Sequence, residues 1–178
     1  MKDSAALKRE NKIQIRRLLR SGKPYTKQQI ALQTGLSVAS CNTYLNEMET
    51  TGEVTGEKQK LHEVGRNAMV YTLNEDFENI LCLYFALIQG VKSVTAAVLS
   101  PTGRILHQQV RRFEPLDAAA IEQESAAAFR LFPNISQVIV GTPSIAENGV
   151  IRHSDIPELE NVSLKTMLET KFRRPVFL

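Results

Sequence analysis

The sequence predicts a mixed α/β fold in two domains, residues 1–75 and 76–178. Three observations carry this. The stretch TKQQIALQTGLSVASCNTYLNEM, Thr26 to Met48, has the spacing of two short helices joined by a glycine turn. From Ile80 onward, strand-like runs come first, and an Ala-rich helix and further strands follow. The charge also divides: residues 1–75 hold 12 basic and 8 acidic side chains, 12 − 8 = +4, while residues 76–178 hold 10 and 11, 10 − 11 = −1. A length of 178 residues suits two small domains at roughly 100–200 residues or less apiece.

Taken in order, residues 5–20 form a helix with Ser4 as N-cap. Leu7, Asn11, Ile15, Leu18 and Leu19 recur near helical spacing and are expected to face inward, leaving Lys8, Arg9, Lys12, Arg16, Arg17 and Arg20 on the remainder. Ser21-Gly22-Lys23-Pro24 breaks the helix. Thr26 caps a second helix, Lys27 to Thr34. Gly35 makes the turn, where a left-handed backbone costs glycine little. Ser37 caps a third helix running to about Thr50. Ala31 is small where the helices cross, and Ile30, Leu36, Cys41, Leu45 and Met48 close a small core. Val54–Glu57 and Met69–Leu73 read as strands joined by a basic segment, Lys58 to Ala68, with Lys58, Lys60, His62 and Arg66 against one acid, Glu63. Two strands with a basic loop directly after such a helix pair make a winged helix-turn-helix.

In the second part, Ile80–Ile88 is a continuous apolar strand, Gln89-Gly90 a turn, Ser93–Leu99 a second strand and Arg104–Phe113 a third. Asp117 caps an Ala-rich helix to about Phe132, Gln137–Val140 is a short buried strand, Gly149 sits in a turn, Ser163 caps a helix to Phe172, and Pro175–Leu178 begins a fifth strand. The order βββαβαβ is that of a ribonuclease H-like half-domain, the building block of actin and sugar-kinase ATPases, with antiparallel strands first and parallel crossovers after.

The chemistry follows from which side chains these elements leave outside. Residues 1–27 carry 9 basic and 2 acidic groups, 9 − 2 = +7, as expected of a lobe that meets a polyanion. The outward face of the third helix carries Ser37, Val38, Ala39, Asn42, Thr43 and Asn46, short uncharged side chains that can approach base edges in a major groove. Thr26 and Lys27, at the start of the second helix, and Lys58, Lys60 and Arg66, on the wing, are placed to contact phosphates. Asn42 is the candidate for a bidentate contact to adenine, with Val38 or Ala39 against a thymine methyl.

Other chemistry lacks support. The chain has 2 cysteines. Cys41 and Cys82 make no disulfide framework and are expected as small buried hydrophobes in a reducing cytoplasm. His62, His107 and His153 have no partners at ligand spacing and read as loop, surface or turn residues; Asp155 and Glu158 read as capping or loop groups. No catalytic set, metal site or cofactor motif is evident. The longest apolar run, Ile80–Ile88, falls short of the about 20 residues a membrane helix needs. The opening MKDSAALKRE lacks the apolar core of a secretory leader. A soluble, cytoplasmic protein is expected.

Both parts resemble one family, the ROK group of bacterial repressors and sugar kinases. The similarity runs through Asn11, the TKQQIALQTGLS stretch and Gly65-Arg66 in the first part. In the second it runs through Pro101-Thr102-Gly103-Arg104-Ile105-Leu106, Gly141-Thr142-Pro143, Gly149-Val150-Ile151 and Arg174-Pro175-Val176. The resemblance implies a DNA-binding regulator, a homodimer on a palindromic operator in double-stranded DNA, and repression relieved by a sugar or phosphosugar effector. The family's kinases carry an Asp and a Gly-rich phosphate loop at the first hairpin, where this chain has Leu87-Ile88-Gln89-Gly90-Val91-Lys92. Their catalytic Asp segment, zinc loop and sugar contacts follow the fifth strand, beyond Leu178. A regulator and not an enzyme is therefore expected; the alternative is a degenerate or truncated ROK-type carbohydrate kinase.

Overall fold

The computed structural model describes residues 4–59 and 68–178. Its contacts fall into two units: residues 1–77 with the turn 101–103, and residues 78–100 with 104–178.

In the first unit, helix α1 spans Ser4–Leu19. Ser4 is thus already helical rather than the cap. Ile15 and Leu19 are fully buried, but Leu7, expected inside, is 48% exposed, because the helix outruns the small core beneath it. Strand β1, Tyr25–Thr26, leads into helix α2, Lys27–Thr34. Thr26 closes a capping box: its hydroxyl accepts the Gln29 amide at 3.2 Å, and Gln29 Oε1 accepts the Thr26 amide at 2.8 Å. Gly35 ends α2 at φ 72°. Helix α3, Val38–Thr50, follows, with the Ser37 hydroxyl accepting the Ser40 amide at 3.0 Å.

Strands β2, Val54–Gln59, and β3, Ala68–Leu73, form an antiparallel wing. They run further than alternation suggests. Lys58 pairs with Met69 within the ladder rather than sitting in the loop. β1 adds a third strand, Tyr25 opposite Tyr71. Sequence reading missed it because two residues show no period. Ile15, Leu19, Ile30, Cys41, Leu45, Met48, Val54 and Tyr71 make the core, with Leu36 packed at its edge.

The second unit holds β4, Asn79–Ile88, β5, Val91–Leu99, and β6, Ile105–Arg112. Gln89 and Gly90, at φ 51° and 79°, make the two-residue hairpin between β4 and β5. Helix α4, Ala118–Leu131, is capped by the Asp117 carboxylate, which accepts the Ala120 amide at 2.9 Å. Then come β7, Ile135–Gly141, a hairpin of β8, Ser144–Glu147, and β9, Val150–Ser154, a 3-10 turn at Pro157–Leu159, helix α5, Leu164–Phe172, and β10, Val176–Phe177. The sheet order β10-β7-β4-β5-β6 is antiparallel through β4, β5 and β6 and parallel through β4, β7 and β10. This is the expected ribonuclease H-like order, with the β8–β9 hairpin inserted where only a turn was predicted.

Three smaller expectations change. Ser163 makes no capping hydrogen bond. His107 lies in β6, its Nε2 buried and its ring 5.9 Å from that of Phe132, rather than on the surface. Cys82 is half-buried, because only alternate residues of β4 face the core. Among the described residues no helix is long and apolar enough to cross a membrane.

Candidate nucleic-acid interface

Helix α3 divides as its spacing requires. Cys41, Leu45 and Met48 are fully buried. Ser37, Val38, Ala39, Asn42, Thr43 and Asn46 are all exposed. Burial pushes the Cys41 thiol above its ordinary value, against a smaller opposing effect from its hydrogen bond with Thr34. Two of the exposed hydroxyls already serve the helix: Ser37 caps it, and Thr43 Oγ1 donates to the Ala39 carbonyl at 3.2 Å. That leaves Asn42 and Asn46 as the amides on this face.

Lys27, at the first position of α2, reaches across to α3. Its ammonium donates to Asn42 Oδ1 and sits 5.5 Å from the centre of the Tyr71 ring. An ammonium has only donors, so the Asn42 oxygen must be the atom facing it. The Asn42 NH₂ therefore points the other way. Lys27 thus adds N–H donors next to the Asn42 amide, which keeps its own NH₂ donors and the second lone pair of its oxygen. Thr26, Lys27, Gln28, Leu32, Val38 and Met69 line a shallow groove beside this pair. Leu32 is 82% exposed, and sequence reading missed it. The available signal was its misfit with buried Ile30 and Ala31 on the same short helix.

The basic character of the first unit is partly spent internally. Lys8 and Lys12 both bind Glu47, at 2.7 and 2.8 Å. Their hydrogen bonds, Lys12 first, hold the Glu47 carboxyl below the ordinary glutamate value. Arg16 grips Glu53 with two N–H groups, Nη2 to Oε2 at 2.9 Å and Nε to Oε1. Arg9, Arg17 and Arg20 are exposed and form no ion pair with a described residue. So the charge count of +7 overstates what this lobe offers a polyanion. On the wing, Lys58 is exposed. Lys60, His62, Glu63 and Arg66 lie outside the described residues.

In the second unit the β4–β5 hairpin has no carboxylate of its own. Lys92, at its foot, binds Glu114 at 3.1 Å and also Glu158. The Glu158 contact comes first in raising the Lys92 ammonium above its ordinary value, and in return lowers the Glu158 carboxyl. Lys92 is thus engaged by carboxylates where a phosphate-binding hairpin would need free donors. Glu158 sits in the 3-10 turn, and Asp155 and the exposed His153 lie at or near the end of β9. Among the described residues no group of three or more His, Cys, Asp or Glu could hold a metal ion.

No family model matches the chain, and no curated protein matches it. Solved structures do. A ROK family transcriptional regulator, a homologue of the E. coli Mlc protein, is similar over 96% of this chain and 45% of its own, with TM-score 0.67 and 16% identity. A candidate N-acetylmannosamine kinase from Listeria monocytogenes is similar over 55% of this chain and 33% of its own, with TM-score 0.47 and 22% identity. The Zα domain of Carassius auratus PKZ, solved with Z-DNA, is similar over 38% of this chain and 98% of its own, with TM-score 0.33 and 19% identity. The fold assignment rests on the first. This chain spans less than half the length of that regulator, and over nearly all of its own length it shares the fold of a ROK family transcriptional regulator, a winged helix-turn-helix followed by a ribonuclease H-like half.

Proposed function

We propose that this chain is a ROK-type transcriptional regulator that binds double-stranded DNA as a homodimer, with α3 in the major groove and the wing along the phosphate backbone. The single observation that carries the reading is the division of α3. Its inner face is fully buried, and as far as Asn46 its outer face consists of short uncharged side chains, with Lys27 braced against Asn42 and the exposed acid Glu49 only in the last turn. Such a face can reach base edges without bulk in the way. In this reading Thr26, Ser37, Thr43 and Asn46 flank the contact, Val38 and Ala39 meet thymine methyls, and Lys58, Lys60 and Arg66 follow the backbone. The protein acts in the cytoplasm as a repressor of sugar-metabolism genes and is not an enzyme. A sugar or phosphosugar relieves repression. The kinase alternative is disfavoured by a hairpin without a carboxylate and by Lys92 already bound to two glutamates.

The Lys27–Asn42 pair sharpens the base. Two adjacent donors match the N7 and O6 acceptors of guanine, whereas adenine presents one acceptor and one donor. We therefore infer guanine, read by the Lys27 ammonium with the Asn42 NH₂, as an alternative to the adenine expected of Asn42 alone. The test is selection of bound sites from random duplex DNA by the wild-type chain, Asn42→Ala and Lys27→Met. A G·C pair preferred once per half-site by the wild type, with the preference relaxed in both variants, supports the pairing. The discrimination should fall by about 1–3 kcal/mol. Uniformly weaker binding with unchanged base preference refutes readout by this pair, and no DNA binding at low salt refutes the function.

A further inference from the structure

The half-buried Lys27 is held by two neighbours. Its ammonium donates to Asn42 Oδ1 and lies over the Tyr71 ring, 5.5 Å from the ring centre. Tyr71 is in β3, opposite Tyr25 of β1 on one edge and Gly56 of β2 on the other. It is 3% exposed and packs in the same core as Cys41, Leu45 and Met48 of α3. In a close-packed core such a ring has little freedom to move against the inner face of that helix. Gly56 leaves the ring its place. A Cβ at position 56 would stand 3.1 Å from Tyr71 Cε1 and 2.8 Å from Glu49 Oε1. The backbone of Gly56 is not left-handed, so this glycine serves space and not conformation.

We propose that Tyr71 is a positioning residue for base recognition: its ring, seated against Gly56, holds the Lys27 ammonium beside Asn42, so that Lys27 reads a base and not only a phosphate. The inference rests on the DNA-binding reading above. The face of an aromatic ring is negative and attracts an ammonium. A lysine free to rotate is a point charge on a flexible stem, which suits phosphates anywhere along a duplex. An ammonium with one donor on Asn42 and a ring against it keeps few directions for the donors that remain. It can aim at one base edge, and part of its rotamer freedom is lost before DNA arrives, which lowers the cost of binding. Packing alone would make a different Tyr71: its loss would weaken every sequence alike. In the proposed role a buried strand residue sets base preference although it need not touch DNA.

The experiment compares full-length variants at position 71. Site selection from random duplex DNA reads base preference, and fluorescence anisotropy at several salt concentrations reads the salt slope. Tyr71→Phe keeps the ring face and should keep the preference. Tyr71→Leu removes the ring, and discrimination at the base pair read by Lys27 and Asn42 should fall about three- to tenfold. The salt slope should stay as it is, because the Lys27 charge remains. Should Tyr71→Leu fail to fold, ring-fluorinated phenylalanines at position 71 decide the matter. Fluorine draws charge from the ring face with little change of shape, so discrimination should fall with each fluorine added. Nuclear magnetic resonance of the free chain reads the placement without DNA: the Lys27 Hε signals should be shifted upfield by the ring in the wild type and in Tyr71→Phe, and should return to the ordinary lysine position in Tyr71→Leu. Equal loss of affinity for all sequences in Tyr71→Leu overturns the proposal, as does discrimination indifferent to fluorination. Unshifted Lys27 signals in a wild-type chain that binds DNA overturn this inference and leave the DNA reading standing. A wild-type chain that binds no DNA at low salt refutes the DNA reading and, with it, a role for Tyr71 in readout, whatever the Lys27 signals show.

Discussion

Replacing Arg16 with Met should unfasten α1 from the rest of the first unit. Glu53 sits where three elements meet: its amide donates to the Met48 carbonyl at the end of α3, its carbonyl accepts the Asn74 amide just past β3, and its carboxylate is held by Arg16 of α1. The Glu53 side chain is 8% exposed and that of Arg16 38%. Removing one partner of a buried pair costs about 3–5 kcal/mol, because the other charge is left in a poor medium. Water reaches more than a third of Arg16, so screening lowers the figure here to about 2–3 kcal/mol. For a unit of this size that corresponds to a fall of about 10–20 °C in melting temperature. Three of the 4 tyrosines, Tyr25, Tyr44 and Tyr71, lie in the first unit, so near-ultraviolet circular dichroism follows its unfolding. The double variant Arg16→Met with Glu53→Met should regain most of the loss, since no unpaired charge is then buried. A loss under about 0.5 kcal/mol, the level of an exposed pair, would refute the reasoning. So would a double variant less stable than Arg16→Met alone.

Ser37→Ala should destabilise the start of α3 by about 1 kcal/mol and weaken DNA binding without changing base preference; a shift in the selected site would mean that Ser37 reads a base. Lys58→Ala should lower the slope of log affinity against log salt by about 0.9, with sequence preference intact, as measured by fluorescence anisotropy at several salt concentrations. The Glu47 carboxyl is held below its ordinary value of 4.5, so its contribution to stability is present above that pH and is lost as pH falls through the lowered value. Lys12→Met should therefore flatten the acid limb of a stability-against-pH curve below about 4.5 and leave its neutral-to-alkaline shape unchanged. Parallel wild-type and variant curves throughout would refute the assignment.

Local chemistry was enough to read most of the elements from the sequence. The Thr26 and Ser37 caps, the left-handed Gly35, the buried period of Cys41, Leu45 and Met48, and the Asp117 cap all depend on residues within a few positions of one another. The ribonuclease H-like character of the second unit was also legible, because the order of its elements, three strands and then alternating helices and strands, is that of such a half-domain, with antiparallel strands first and parallel crossovers after. What only the tertiary structure decided are pairings across sequence distance. Lys27 meets Asn42 fifteen positions on, and Arg16 meets Glu53 thirty-seven positions on. No composition count shows that such contacts neutralise part of a basic helix or set an ammonium against an amide oxygen. The same holds for β4. An unbroken apolar run states that a strand avoids water, but which face finds cover depends on where α4 and α5 pack. Here both settle on one side, because side chains alternate along a strand and a helix covers only the face it lies on.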